Sequence, residues 1–137
     1  MRYVSKKWQF EFTAPEGWTI RPSGSEKWLP RPLAMLSPTG TAVLEVDSPF
    51  GLAMTVRGGR RLMSLDALSE MVKRVDCYSK GSVSLPGAEG GRFFALDAFG
   101  PSEACKITIH RGDVQFDVSI PGEDEPPDWF TNGWKFL

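Results

Sequence analysis

The stretch Ala104-Cys-Lys-Ile-Thr-Ile-His-Arg-Gly-Asp-Val-Gln-Phe-Asp-Val-Ser-Ile120 alternates apolar and polar residues on both sides of an Arg-Gly break. Period-two alternation around a glycine reads as a β-hairpin with one buried face. With Arg111-Gly112 as the turn, Ile109 is expected opposite Val114, Ile107 opposite Phe116 and Cys105 opposite Val118, all inward. The same register sets Lys106 against Asp117 on the outer face, a favourable cross-strand pair. Just upstream, Arg92 to Phe99 is apolar on both faces, which predicts a central strand covered on both sides.

Outward from this core the chain keeps reading as strands. Trp8, Phe10 and Phe12 alternate with Gln9, Glu11 and Thr13, and Pro15-Glu16-Gly17 turns the chain into a short strand at Trp18-Thr19-Ile20. Residues 22 to 32 read as a loop stiffened by prolines. A hairpin is expected around Ser37-Pro-Thr-Gly40, pairing Met35 with Ala42 and Leu33 with Leu44, and Leu52 to Val56 reads as a further strand. The helix signal runs from Ser64 to about Cys77. Ser64 is a good N-cap, and Leu65, Leu68, Met71, Val72 and Val75 form a narrow apolar stripe suited to covering a sheet. After an acidic loop at 122–128 come a short helical turn and a final Trp134-Lys-Phe-Leu137.

Composition agrees with a sheet-rich soluble domain. The 137 residues are 41% hydrophobic and 24% charged, and 14 glycines and 11 prolines favour many short turns. No repeat or linker divides them, so residues 1–137 are expected to form one domain. Sixteen basic against 17 acidic residues give no global charge that would point to nucleic acid. The ends differ, however: the basic excess lies in residues 1–31 and the acidic excess in 113–137.

No apolar run nears the roughly 18 residues of a membrane span, and no h-region follows the basic start, so neither membrane insertion nor a secretory signal is expected. Cys77 and Cys105 are too few for a disulfide framework and lack metal-type spacing. The expectation is a cytoplasmic protein with two buried thiols, although a secreted form without its leader reads the same.

The residues that carry a resemblance are Phe10-Glu-Phe-Thr-Ala-Pro-Glu-Gly-Trp18, the hairpin at 33–47, the Ser64-Leu65 helix start, and the closing Trp129, Phe130, Trp134 and Phe136. Their order over nearly the whole chain resembles the PsbP-like family, whose fold is shared with a nuclear import factor that binds the Ran GTPase. The resemblance implies an α+β fold in which an antiparallel sheet is flanked by helices on both faces, an α/β/α sandwich. It also implies a partner-binding rather than catalytic protein, as in photosystem subunits and bacterial secretion-effector chaperones. The chain departs from that pattern in its lone histidine, and neither a transit peptide nor a lipoprotein leader is expected from its start.

Catalytic motifs are missing: no nucleotide-binding glycine loop and no G-x-S-x-G occurs. His110 is the lone histidine. In the hairpin register it faces away from Cys105, which excludes a Cys–His dyad within this strand and leaves Cys77 unplaced, and it is expected in solvent beside the turn. Its removal should then change stability by at most about 0.5 kcal/mol. Arg111-Gly112-Asp113 spells an adhesion tripeptide, but the turn already explains its glycine. Glu123, Asp124, Glu125 and Asp128 lack EF-hand spacing, and no metal or cofactor is expected.

Two partner-binding candidates remain. Arg57-Gly58-Gly59-Arg60-Arg61 reads either as a mobile solvated loop or as three guanidinium groups presented to an anionic surface ahead of a helix N-terminus. Trp28, in Trp28-Leu-Pro-Arg-Pro32, reads either as a pre-stiffened anchor for a partner or as a ring folded over a sheet edge. The function expected is therefore a non-catalytic protein-binding adaptor or chaperone-type domain, with a homodimer allowed. The alternative is a carrier of a small apolar ligand, held between sheet and helix in a pocket lined by Trp, Phe and Met.

Overall fold

A computed structural model describes residues 1–22, 41–61, 63–73, 77–97 and 103–137. Its elements in chain order are β1 (Arg2–Ser5), β2 (Phe10–Thr13), β3 (Thr19–Pro22), β4 (Thr41–Ser48), β5 (Gly51–Arg60), α1 (Leu65–Val72), β6 (Cys77–Ser82), β7 (Gly90–Asp97), β8 (Glu103–Arg111), β9 (Val114–Pro121), α2 (Asp128–Thr131) and β10 (Trp134–Phe136). Two sheets form, with strand orders β1-β2-β10 and β3-β4-β5-β9-β8-β7-β6. Every pairing is antiparallel, and β1 and β10 lie on either side of β2.

Alternation gives the large sheet two different faces. Cys105, Ile107 and Ile109 of β8, Val114, Phe116, Val118 and Ile120 of β9, and Met54 and Val56 of β5 are buried on one face. The small sheet and α2 cover that face with Phe10, Phe12, Phe130, Trp134 and Phe136. Phe10 stacks on Trp134 with centroids 4.2 Å apart and planes 3° from parallel, and Phe116 meets both rings edge-on. Trp8 packs closely on β5, where a side chain at Gly58 would come within 3.0 Å of the indole. Each fully buried aromatic of this kind stabilises the fold by about 1.5–3 kcal/mol relative to exposure.

The expectation of helices on both faces is corrected by this packing. Among the described residues a second sheet and the single turn of α2 cover the inner face, and one helix of two turns, α1, lies on the other. The strands of the small sheet carry Phe10, Phe12, Trp134 and Phe136, and with Trp8 in the turn before β2 they already supply the apolar cover that a helix would have brought.

Other expectations move by small, explicable amounts. Ser64 caps α1, its Oγ accepting from the Ala67 N–H at 3.1 Å, but the helix ends at Val72 and Cys77 begins β6. Leu68 of α1 is buried, whereas Met71 is 52% exposed. Residues 33–40 lie outside the described residues. The expected pairing of Leu33 with Leu44 and of Met35 with Ala42 therefore falls outside them too, and Leu44 stands opposite Pro22 on one side and Val56 on the other.

The hairpin of β8 and β9 is displaced by two residues. Its turn is Gly112–Asp113, with Arg111 opposite Val114, Ile109 opposite Phe116 and Cys105 opposite Ile120. Gly112 has φ +58°, the conformation that a tight hairpin favours at its first turn position. Because the shift is even, every inward residue stays inward, but the cross-strand partners change. Lys106 faces Ser119, and Thr108 takes the place beside Asp117.

Candidate functional site

The outer face of the large sheet is built from three rows of cross-strand neighbours. Gly59, Gln115, His110 and Gly90 form one row across β5, β9, β8 and β7. Arg57, Asp117, Thr108 and Arg92 form the next, and Thr55, Ser119, Lys106 and Phe94 the third. The helix α1 crosses the β7 end, with Leu65 Cδ1 where a Gly90 side chain would stand and Leu68 beside Phe94. Between the helix and β5 lies a cleft of about 470 Å³, with Thr55, Arg57, Lys106, Thr108, Asp117 and Ser119 on its polar side and Met63, Leu68 and Phe94 on its apolar side.

His110 sits in this cleft and is only 1% exposed, which corrects its expected solvated position. Alternation still places it on the face opposite Cys105. Neighbouring Gly90 offers no side chain of its own, and α1 closes over the row. His110 Nε2 lies 3.1 Å from Gln115 Oε1, and Gln115 Nε2 donates to Asp117 Oδ1 and Oδ2 at 3.1 and 3.2 Å. With the amide so oriented, its oxygen accepts from the imidazole Nε2–H. Nδ1 is left as a buried acceptor without a partner among the described residues. Thr108 Oγ1 donates to Asp117 Oδ1 at 3.3 Å and completes the chain. Burial, before any charge, pushes the imidazole below its ordinary range, and Arg61 acts in the same direction.

The polar side carries two cations. Arg57 is exposed on β5, and Lys106 is half-buried with Nζ donating to Ser119 Oγ at 2.9 Å. The sequence reading missed most of this lining. A usable signal was present, since positions 108, 115 and 119 carry hydroxyls and an amide, whereas an open sheet face favours long charged side chains.

The arginine cluster is not a loop. Residues 57–60 belong to β5, and Gly58 accommodates Trp8 instead of loosening the chain. Alternation sends Arg57 to the cleft, while Arg60 takes the register position opposite Val114 on the other side of the sheet. Arg61 ion-pairs with Glu89 at 2.9 Å, and Glu89 also accepts from the Gly112 N–H at 2.8 Å. These contacts, the backbone one first, hold the Glu89 carboxyl below its usual range. Trp28 lies outside the described residues.

Cys105 does not enter the site. Burial, with a smaller contribution from Glu123, Asp124 and Glu125, pushes the Cys105 thiol up to about 12 on the inner face. Such a group is a protonated core residue rather than a nucleophile. Among the described residues no three His, Cys, Asp or Glu side chains gather to hold a metal ion, and no helix is long and apolar enough to cross a membrane.

No protein-family model matches the chain, and no curated protein matches it in sequence. Its structure is similar to the solution structure of cyanobacterial PsbP (CyanoP) from Synechocystis sp. PCC 6803. The TM-score is 0.61 at 8% identity, over 100% of this chain and 92% of the other. The fold is therefore PsbP-like, as the order of motifs implies. At that identity the likeness is one of architecture, and function has to be argued from the cleft itself.

Proposed function

We propose that the protein is a non-catalytic binding module, an adaptor or chaperone-type domain that holds a segment of a protein partner in the cleft between α1 and the outer face. The observation that carries this reading is the two-sided lining: an apolar wall of Met63, Leu68 and Phe94 faces hydroxyls and cations across one floor. An extended segment, with side chains of both kinds and a backbone needing hydrogen bonds, suits such a lining. Methionine at the rim adapts to different side chains, which suits an adaptor. The protein would act without a cofactor and without nucleic acid. The setting proposed is cytoplasmic.

The cleft is of small-molecule size, which favours the carrier reading, but the polar floor suits an apolar cargo poorly. A random-peptide display library separates the two. Enriched peptides should perturb the amide resonances of Thr55, Arg57, Lys106 and Thr108 and should lose affinity for a folded Thr55→Trp variant with a filled cleft. Failure to enrich any peptide, or peptides that bind away from these residues, would overturn the proposal.

A further inference from the structure

We infer, building on the cleft as a peptide site, that the segment it takes carries an acidic side chain next to an apolar one. The carboxylate lies between Lys106 and Arg57, and the apolar side chain lies against Phe94, Leu68 and Met63.

Lys106 is the starting observation. It is half-buried in the cleft, and its one hydrogen-bond acceptor among the described residues is the neutral hydroxyl of Ser119. Its ammonium forms no ion pair with any described residue. Arg21, further along the same face, is treated differently: Glu45 and Asp47 both pair with it, at 2.7 and 2.5 Å. Among the described residues Asp117 is the one carboxylate in the cleft lining; it is the cross-strand neighbour of Arg57, and its oxygens accept from Thr108 and Gln115. A cation partly withdrawn from water without a counter-charge interacts more strongly with an incoming anion than a solvated surface lysine does.

The register then fixes what stands beside the anion. Lys106 is the direct cross-strand neighbour of Phe94 on β7 and of Ser119 on β9. The ring of Phe94, roofed by Leu68, is thus one strand away from the ammonium. Arg57 stands on the other side, across β9 and one row along. A carboxylate over Ser119 is within reach of both cations, and the neighbouring side chain of the same segment meets the apolar wall. Hydroxyls of Thr55 and Ser119 remain for backbone or carboxylate oxygens.

The test is the composition of selected peptides, followed by charge exchange. Wild-type protein should enrich Asp or Glu adjacent to Leu, Ile, Phe or Met, and binding should weaken as salt rises. Lys106→Gln should weaken a selected peptide by about tenfold, and Asp117→Asn should tighten it. Selection against folded Lys106→Glu/Arg57→Glu should exchange the acidic preference for Lys or Arg. Peptides seated in the cleft without an acidic preference, or an acidic preference that survives the charge exchange, would overturn this inference while leaving the binding reading intact. Absence of peptide binding would overturn both. Decanoate that binds the cleft more tightly than any selected peptide would replace the segment by a free carboxylate with an apolar tail.

Discussion

The two faces of the large sheet are made by the same strands, yet they do opposite work. On the inner face, Phe10, Phe116 and Trp134 meet ring to ring. On the outer face His110 and Thr108 are also buried, at 1% and 6% exposure, but each is held by hydrogen bonds. The inner face spends its side chains on close packing. The outer one keeps a cavity and specific partners, an arrangement that leaves stability to one side of the sheet and recognition to the other.

The sharpest way to break this comparison is to remove an inner ring. Trp134→Ala deletes a 1%-exposed indole at the centre of the cluster and should cost about 3–5 kcal/mol, read from urea unfolding. A loss below about 1 kcal/mol would mean that the inner face does not hold the fold.

His110 stands between the extremes, buried but on the outer face. His110→Ala should cost about 1–3 kcal/mol, because it empties a packed position and strands Gln115. The imidazole also adds a pH signature. Its folded pKa lies below the ordinary 6.5, so between the two values the unfolded chain holds a proton that the folded chain lacks. Its contribution is complete above about pH 6.5 and is lost as pH falls through that window. The charges facing it are Arg61, Glu89 and Asp117. Unfolding curves taken across this window should show the slope in wild type and its reduction in His110→Gln; an unchanged slope would assign it to other groups.

The smallest effect is expected in the cleft lining. Ser119→Ala and Thr55→Ala should each change stability by less than about 0.5 kcal/mol, by the same denaturation measurement. If either cost as much as His110→Ala, the cleft would be part of the structural framework and the contrast would blur.

How much of this was legible in the sequence depended on whether the question was one of parity or of partner. Strict alternation fixed which residues of 104–120 face inward, and a slip of two residues left that assignment intact. Partners depend on where the turn falls. Both Arg111-Gly112 and Gly112-Asp113 contain the glycine, and only the backbone decides that Gly112 takes the first turn position. Lys106 was therefore credited with Asp117, and its missing counter-charge was invisible. His110 was misplaced for a different reason: alternation says which face a residue is on, not whether another element covers that face. Arg57-Gly58-Gly59-Arg60 looked like a loop because two glycines weaken a strand signal, whereas Gly58 is there to admit the ring of Trp8. The PsbP-like fold was readable, since apolar spacing and turn residues carry it.

The placement of β1 and β10 on either side of β2 has a mechanical consequence. Both run antiparallel to β2, with Arg2 opposite Thr13 at one end and Phe136 opposite Phe10 at the other. Force applied between Met1 and Leu137 would draw the two outer strands in opposite directions along their own axes. The ladder hydrogen bonds lie across that direction, so they would share the load in shear rather than open one at a time. Residence under tension, which follows the unfolding rate, would then be set by this small sheet and its aromatic rings.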